Sequence, residues 1–332
     1  MNTISIIIVN YNGYRFLKRL FKTIQGQTFR DFEVIFVDNN SKDDSVFFAE
    51  ENYSCAKIIR SKNLGYGSGC NIGAANATGK YLVFLNEDMY LPDNFLENML
   101  EFRENLSDLK KIGGVSCRMV DFDSDPDLVH PTLGGTIDIF GFAVKNKNPK
   151  DVFVISGSPF FISRELFAKI GGFNEMIFVY GEDVDLSWRL RIFGYKNFVN
   201  NNTFLFHYGG GATGNFSRSK IANVVFGSFV SIFTNYSTAT LLAVLPFYFV
   251  GLLLFYVLLT ILKIDLCYAS EILKKYISFL KNIKKAFSIR KFVQKKKVKS
   301  DFYVFRCISL SPAFFANKSI EKIGKNYTIK NT

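Results

Sequence analysis

Short apolar runs alternate with helix-like segments over the first hundred residues. The runs Ser5–Val9, Phe32–Val37, Lys57–Arg60 and Tyr81–Leu85 have the length and composition of strands. Helices are predicted between and after them, at Tyr14–Ile24, at Ser45–Tyr53, within 65–79 and at Pro92–Leu106. Because strands that alternate with helices form mostly parallel sheets with helices on both faces, the pattern predicts an α/β fold of this kind.

The middle of the chain has a weaker pattern. Residues 115–155 are expected to form irregular or antiparallel β-structure. A short helix is predicted at Arg164–Ile170, where a Gly-Gly pair ends it, and a further helix from near Glu182 to Gly194.

A long apolar segment, Thr240–Leu262, holds no charged residue and is long enough to span about 30 Å of hydrocarbon. Pro246 interrupts it, and the shorter apolar run Ile221–Phe233 precedes it. A buried core helix is the alternative, although such helices usually have apolar runs of only about 10–14 residues. The 12 Lys and Arg between Lys263 and Ser300 lie among apolar residues at helical spacing. That pattern is typical of an amphipathic helix on a membrane surface.

The positive charge of the chain is confined to its end. The 332 residues carry a formal charge of +12. Residues 263–332 hold 17 Lys and Arg against 4 Asp and Glu, whereas residues 1–262 hold 24 against 25. A basic tail after an apolar segment favours an anionic membrane surface over nucleic acid as the partner. The five cysteines form no C-x-x-C pair, so neither a disulfide framework nor a zinc site is indicated.

Two aspartates follow predicted strands. Asp38 comes directly after Phe32–Val37, and Asp88 comes shortly after Tyr81–Leu85. Ligands of parallel α/β sheets bind beyond the carboxyl ends of the strands. The two carboxylates are therefore candidates to hold a divalent cation or a sugar or base hydroxyl. The alternative is that each satisfies backbone groups of its own turn.

Acidic residues cluster where the helix near Glu182 begins. Glu182, Asp183 and Asp185 include a candidate general base, since a carboxylate can take a proton from a hydroxyl nucleophile. In the alternative, Asp185 pairs with Arg189 one turn away, and the other acids favour a helix N-terminus. His207 precedes a Gly-rich run and is a candidate metal ligand, with a structural role as the alternative.

The Gly-rich stretch that begins at Gly65 is not a dinucleotide loop. The pattern G-x-G-x-x-G fails because Cys70 stands in place of the last glycine, and the chain has no P-loop sequence. A sugar nucleotidyltransferase would need a basic, Gly-rich loop near the N-terminus, where residues 9–15 offer only Gly13 and Arg15. The sequence therefore gives little support to a sugar nucleotidyltransferase.

Five segments in order resemble one family of enzymes. The segments are Ser5–Asn12, Val37–Asp43, Asn63–Gly65 with Asn71–Gly73, Leu85–Asp88, and Gly171–Glu175 with Tyr180–Arg189. They resemble five parts of family 2 glycosyltransferases with a GT-A fold. In the same order, these parts are the opening strand, the nucleotide-binding strand end, the N-x-G stretches, the D-x-D-type metal motif, and the acceptor and catalytic block. The last block is most similar to the rhamnosyltransferase-like branch. The resemblance covers about residues 3–215 and implies a Rossmann-like GT-A sheet.

The resemblance also implies roles for the matching residues. Asp183 would be the general base, with Glu182 and Asp185 as the next candidates. Asp88 and His207 would bind a divalent cation, Mg²⁺ or Mn²⁺, on the diphosphate of the donor. Asp38 would contact the nucleotide base, and further donor contacts are implied at Val9, Asn10, Tyr11, Asn12, Asn63, Gly65, Asn71, Asn86 and Glu87. Acceptor contacts are implied at Tyr180, Trp188 and Arg189.

Two positions depart from the family pattern. Asn86 replaces the first Asp of the metal motif, which removes one carboxylate from the implied cation site. Asn174 replaces the Asp that is common in the G-x-F-D-E segment, which affects any acceptor contact there.

The expected protein is an inverting glycosyltransferase at the cytoplasmic face of the cell membrane. It would move a sugar from a nucleoside diphosphate sugar to a hydroxyl of a glycan or lipid-linked glycan in a single displacement. The expected organisation is a catalytic domain at 1–215, apolar membrane segments at 216–262 and a basic amphipathic tail at 263–332. A non-catalytic, membrane-bound carbohydrate-binding protein is the alternative outside the enzymes.

The tail is expected on the same side of the membrane as the catalytic domain. A single crossing at 240–262 would place the basic tail outside, against the positive-inside tendency. Either Pro246 breaks the segment into a shallow hairpin, or Ile221–Phe233 forms part of a first crossing.

Overall fold

The structure is a computed structural model that describes residues 2–122, 134–145, 152–208, 218–261 and 267–309. Its strands are β1 (Ile4–Asn10), β2 (Phe32–Asp38), β3 (Lys57–Arg60), β4 (Tyr81–Asn86), β5 (Met89–Tyr90), β6 (Ile112–Asp121), β7 (Gly135–Ile137), β8 (Ala143–Lys145), β9 (Phe160–Ser163) and β10 (Lys196–His207). Its α-helices are α1 (Tyr14–Gln25), α2 (Ser45–Asn52), α3 (Tyr66–Ala75), α4 (Phe95–Glu104), α5 (Arg164–Lys169), α6 (Glu182–Ile192), α7 (Arg218–Asn235), α8 (Thr238–Ile261), α9 (Cys267–Lys281), α10 (Ile283–Lys296) and α11 (Asp301–Cys307).

Eight of the strands form one sheet in the order β3-β2-β1-β4-β9-β6-β10-β5. Strands β1 to β4 run parallel, whereas β9 is antiparallel to both β4 and β6. In register, Asn10 lies opposite Asp38, and Val9 lies opposite Asn86. The carboxyl ends of β1, β2 and β4 therefore meet at one edge, where ligands of such sheets bind.

Helices cover both faces of this sheet, which confirms the predicted α/β architecture. On one face, α1 and α4 pack against the strands, and α1 buries the five apolar residues that its spacing predicts: Phe16, Leu17, Leu20, Phe21 and Ile24. On the other face, α3, α5 and α6 share a second apolar core with β1 and β4.

The segment around β6 agrees only in part with the sequence prediction. The pattern predicts irregular or antiparallel structure over 115–155, whereas β6 is a long strand that pairs antiparallel with β9 on one side and parallel with β10 on the other. Gly113, Gly114, Ser116 and Arg118 interrupt its apolar pattern, and its partner strand comes much later in the chain. Strands β7 and β8 do form an antiparallel pair.

A third apolar core joins α6 to the C-terminal helices. The run Ile221–Phe233, considered above as part of a membrane crossing, lies within α7 and packs against α6. Helix α10 returns to the same body, since Arg290 donates a hydrogen bond to the carbonyl of Tyr236 at 2.8 Å and Gln294 to that of Thr234 at 2.9 Å. Among the described residues, α8 is the one helix whose length and composition would allow it to cross a membrane.

Candidate active site

A cleft of about 390 Å³ opens beyond the carboxyl ends of β1, β4 and β10. We call it the cleft throughout. Its lining residues are Val9, Tyr11, Asn39, Asn63, Gly65, Tyr66, Asn86, Glu87, Asp88, Met89, Met119, Ser156, Gly157, Ser158, Phe178, Val179, Tyr180, Glu182, Asp183, His207 and Lys220. Most of the site residues predicted from the sequence are among them, so the topology brings the separate motifs to one place.

Four predicted donor contacts lie outside the cleft lining: Asn10, Asn12, Asp38 and Asn71. Asp38 is buried, and its carboxylate accepts hydrogen bonds from the side-chain amide of Asn10 at 3.1 Å and the N–H of Ser41 at 3.0 Å. Asn12 bonds the same loop, and Asn71 bonds the backbone between α5 and α6. These side chains hold the cleft walls in place, and a contact of Asp38 with a nucleotide base stays a prediction.

Gly65 lets two walls of the cleft approach each other. Its φ is +94°, and a Cβ at this position would lie 1.9 Å from the carbonyl oxygen of Phe178. Tyr66 donates its N–H to that oxygen at 3.0 Å and its hydroxyl to the carbonyl of Gly157 at 3.1 Å. A side chain at Gly65 would push these walls apart, because only glycine adopts this backbone conformation without strain.

Asp88 and His207 meet at one side of the cleft. Strands β5 and β10 pair antiparallel with Met89 opposite His207, and Nε2 of His207 lies 3.4 Å from Oδ2 of Asp88. Burial alone would lower the pKa of His207, but the hydrogen bond and charge of Asp88, together with the charge of Asp121, raise it. The structure thus brings an imidazole and a carboxylate together, and both are side-chain groups that bind metal cations in proteins.

Asp88 and His207 fit a site in which a phosphate group supplies the remaining ligands of the cation. The buried amide oxygen of Asn86, also in the cleft lining, has no hydrogen-bond partner within the described structure. Over the same described ranges, no cluster of three or more His, Cys, Asp and Glu would hold a metal unaided. Since Mg²⁺ sites in nucleotide enzymes use one or two carboxylates plus substrate phosphates, a partial protein ligand set is what such a site requires.

Asp183 is oriented by two backbone N–H groups. Gly157 donates to Oδ2 at 3.3 Å and Val184 donates to Oδ1 at 2.8 Å. A Cβ on Gly157 would lie 3.0 Å from the Cβ of Asp183, so the loop approaches this closely because the residue is glycine. Burial raises the pKa of Asp183, and the two hydrogen bonds oppose that rise by stabilising the carboxylate.

Glu182 is the second acid of this pair and also lines the cleft. Burial raises its pKa to about 8, and the charge of Asp183 adds to the rise. Its Oε2 is buried with no hydrogen-bond partner within the described structure. Burial thus disfavours two negative charges on this pair. On the other side of the cleft, burial likewise raises the pKa of Glu87 to about 8, with the charge of Asp88 as the next cause.

Three residues predicted for the site lie away from the cleft, and those predictions need correction. Asp185 is fully buried and paired with Arg189, whose Nε lies 2.8 Å from Oδ2. Trp188 is fully buried against Phe153 and Tyr236. Of the residues of α6, Glu182 and Asp183 alone line the cleft, so Asp185 is no candidate base and Trp188 and Arg189 are no acceptor contacts.

Asn174, which replaces the Asp common in the G-x-F-D-E segment, has a structural reason. Its side-chain amide approaches Oδ1 of Asp185 at 3.5 Å, and Thr234 and Asn235 of α7 donate to the same oxygen at 3.0 and 3.1 Å. An Asp at 174 would place a second carboxylate beside a buried one. This network joins α6 to α7 and contributes no wall of the cleft.

Lys220 is a cleft residue that the sequence analysis missed. It lies in the first turn of α7, and its ammonium is 5.1 Å from the ring centroid of Tyr180. Burial lowers its pKa, and its charge acts on the pKa of His207. Its position immediately before the apolar run Ile221–Phe233 was the available signal. The loop Ser156–Ser158 was missed as well, since nothing in its sequence marks it as part of a site.

The comparisons with known proteins identify the family and the fold. Residues 5–171 match the family model of Glycosyl transferase family 2. That match covers half of the chain, and the chain belongs to glycosyltransferase family 2.

Two curated relatives support the same family. An uncharacterized glycosyltransferase of Rickettsia prowazekii is 29% identical over 190 residues, which are 55% of this chain and 57% of the relative. The O-antigen biosynthesis protein RfbC of Myxococcus xanthus is 24% identical over 226 residues, 62% of this chain and 17% of the relative. The chain thus spans little more than half of the first relative and a small part of the second.

Two solved structures share the fold. TarS 1-349 of S. aureus in complex with UDP-GlcNAc has a TM-score of 0.56 at 15% identity, over 89% of this chain and 88% of TarS 1-349. The mannosyltransferase PcManGT from Pyrobaculum calidifontis, in complex with GDP-Man and Mn²⁺, has a TM-score of 0.53 at 16% identity, over 88% of this chain and 85% of PcManGT. At these identities the likeness concerns the fold.

Proposed function

We propose that the protein transfers a sugar from a nucleoside diphosphate sugar to a hydroxyl group of its acceptor, with inversion at the anomeric carbon. The observation that carries this proposal is the placement of Asp183 in one cleft with Asp88 and His207. One side of the cleft thus offers an oriented base, and the other offers ligands for a diphosphate-bound cation. TarS and PcManGT, which share the fold, are each complexed with a nucleotide sugar.

The donor diphosphate lies on the side of Asp88 and His207. These two side chains, with the amide oxygen of Asn86, would hold Mg²⁺ or Mn²⁺. Such a cation offsets the negative charge that grows on the departing diphosphate. Lys220 faces the same cleft and adds a protein-borne positive charge. On the diphosphate, that charge would compensate in part for a cation held less tightly because Asn86 replaces a carboxylate.

Asp183 is the general base of this reaction. Its carboxylate takes the proton of the acceptor hydroxyl as the hydroxyl oxygen attacks the anomeric carbon. The bond from that carbon to the diphosphate oxygen breaks on the opposite face, so configuration inverts without a covalent enzyme intermediate. The N–H groups of Gly157 and Val184 hold the carboxylate in place. In this proposal Glu182 holds the proton of the acidic pair, so that no second negative charge lies beside the base.

The acceptor is proposed to be a glycan or a lipid-linked glycan, handled at the cytoplasmic face of the cell membrane. Cell-surface polysaccharide synthesis is the setting that the name of the Myxococcus relative suggests, and membership of the rhamnosyltransferase-like branch fits the Tyr180–Arg189 block. The proposed organisation keeps residues 1–215 as the catalytic part, 216–262 as the apolar helical part and 263–332 as the basic tail. The membrane surface, and not nucleic acid, is the further partner.

Release of a nucleoside diphosphate tests this function. The purified protein is incubated with a panel of nucleotide sugars, Mn²⁺ and glycosyl or lipid-linked acceptors, and product configuration is read by NMR. An acceptor-dependent release with an inverted anomeric centre supports the proposal. Binding of sugars without turnover would indicate a carbohydrate-binding protein, and synthesis of a nucleotide sugar from a triphosphate would indicate a nucleotidyltransferase.

A further inference from the structure

Helix α8 has two apolar faces and packs against the protein with only one of them. Leu241, Val244, Tyr248, Leu252 and Phe255 are buried on one face. The opposite face exposes a second apolar set: Leu242, Phe247, Val250, Leu253, Leu254 and Val257. Phe247 is 70% exposed and Leu253 is 62% exposed. A continuous apolar surface of this kind marks an interaction site.

The middle of α8 is fixed to the body of the protein. The hydroxyl of Tyr248 donates to the carbonyl of Val225 on α7 at 2.8 Å. Helix α7 in turn packs on the start of α6, where a Cβ on Gly227 would lie 2.3 Å from the carbonyl of Tyr180 in the cleft lining. The centre of α8 thus lies alongside the catalytic part and does not project away from it.

Helix α9 has an exposed apolar stripe of its own, and its Tyr276 contacts Phe249 of α8 with the ring centroids 6.0 Å apart. Leu273, Ile277 and Leu280 recur at one-turn spacing and are exposed, whereas Ile272 and Phe279 are buried. Exposed lysines lie on and beside this stripe, at positions 274, 281 and 284. An apolar stripe bordered by lysines complements a leaflet with acidic headgroups.

Both ends of the α8–α9 pair are attached to the same body. Helix α7 packs on α6, and after α9 the chain returns, with Lys285 paired to Glu175 at 2.8 Å and the N–H of Val298 bonded to the carbonyl of Ile192 at 2.9 Å. A crossing by α8 would therefore need a return crossing. Helix α9 has 15 residues, about 22 Å at the usual rise, and includes Glu271, so it is too short and too polar to cross about 30 Å of hydrocarbon.

We propose that the exposed faces of α8 and α9 form a one-sided docking surface that inserts into the headgroup–acyl boundary of one anionic leaflet. This inference rests on the proposed membrane location and gives its mode, in which no helix spans the bilayer. The cleft lies beside this surface, because the ammonium of Lys275 on α9 is 5.5 Å from the ring centroid of Phe178 in the cleft lining. A lipid-linked acceptor would reach the cleft from that leaflet.

Vesicle flotation tests the docking surface. Full-length protein is floated with vesicles of phosphatidylcholine alone or mixed with phosphatidylglycerol, as wild type, Leu253→Asp, and Phe47→Asp as a control with similar exposure on α2. We expect flotation with the anionic vesicles, reduced about tenfold or more by Leu253→Asp and by high salt but unchanged by Phe47→Asp. Equal flotation of Leu253→Asp and wild type would overturn the proposal. So would a change from dimer to monomer in lipid-free Leu253→Asp, since the face would then bind a second copy.

A reporter fused after Thr332 tests whether the protein docks on one side of the membrane without crossing it. The proposal requires reporter activity in the cytoplasm, and activity outside it would overturn one-sided docking. Nucleoside diphosphate binding by the same variants separates this proposal from the catalytic one. Loss of flotation with intact nucleotide binding confines the effect to the docking surface, whereas a wild-type protein that floats but binds no nucleotide would overturn the proposed transfer alone.

Discussion

The backbone N–H of Gly157 lies 3.3 Å from a carboxylate oxygen of Asp183, and this contact joins the loop before β9 to the first turn of α6. The same turn carries Glu182, whose pKa is raised chiefly by burial. We propose that Glu182 holds the proton of the pair and that Asp183, held by the loop, is the base.

The cation site can be tested through Asp88. We expect Asp88→Ala to abolish the part of nucleoside diphosphate binding that depends on Mn²⁺, because the substitution removes the carboxylate beside His207. Asp93→Ala, an exposed aspartate outside the cleft lining, serves as the control and keeps that dependence. Calorimetric titration in Mn²⁺ and in EDTA makes the comparison. Equal affinity of the wild type in both buffers would refute the cation site.

Lys220 is expected to bind the diphosphate rather than the nucleoside. Lys220→Ala should weaken nucleoside diphosphate binding about tenfold or more, as expected for loss of a charge-assisted hydrogen bond of about 1.5–3 kcal/mol. Binding of the nucleoside alone should change little, and Lys220→Arg should restore part of the affinity. Lys274→Ala, an exposed lysine of α9, is the control. A uniform loss for nucleoside and diphosphate would mean that Lys220 only supports the fold.

Glu182 should make stability depend on pH. Its pKa is raised to about 8 in the folded protein, above about 4.3 in the unfolded chain, so the folded state binds the proton more tightly between these values. Its contribution to the free energy of unfolding is therefore greatest at low pH and falls as pH rises toward 8. We expect the melting temperature of Glu182→Gln to rise relative to wild type between about pH 5 and pH 8.

A suitable control for this pH series is Glu175→Gln. The hydrogen bond from Lys285 lowers the pKa of Glu175, the opposite direction. That variant should therefore show no relative gain as pH rises. A pH-independent difference between Glu182→Gln and wild type would contradict the protonated state assigned to Glu182.

Arg189 is expected to matter for stability and not for acceptor recognition. Arg189→Ala leaves the buried carboxylate of Asp185 without its ion pair, which typically costs about 3–5 kcal/mol. Urea unfolding should show this loss, while the KM for acceptor of the folded variant stays near wild type. A raised KM with unchanged stability would return Arg189 to the acceptor site.

Much of the fold could be predicted from the sequence, because its strands and helices have strong local periodicity. Strand β1 is apolar throughout and α1 has one apolar face, so each could be predicted without reference to its neighbours. Strand β6 could not, since glycines and polar residues interrupt it and its partner β10 lies far along the chain. The membership of family 2, inferred from the motifs, is confirmed by the family match.

The placement of the candidate residues in one cleft was predictable where motifs follow strand ends and less so elsewhere. Asp88, Asp183 and His207 reach one cleft because strand ends and a helix start converge there. Trp188 and Arg189 were predicted as acceptor contacts because they follow Asp183 closely in the sequence. Both are buried, since the helix that carries the motif continues into the core. Lys220 enters from α7, whose position depends on tertiary packing alone.

The most direct test of the account is sugar transfer by Asp183→Asn compared with Glu182→Gln. The first substitution removes the base while it keeps the size of the side chain, and the second mimics the neutral state already assigned to Glu182. We expect transfer by Asp183→Asn to fall by about 10²-fold or more with donor binding retained, and transfer by Glu182→Gln to stay within a few-fold of wild type near neutral pH. Near wild-type transfer by Asp183→Asn, together with a large loss in Glu182→Gln, would contradict the assignment of the base.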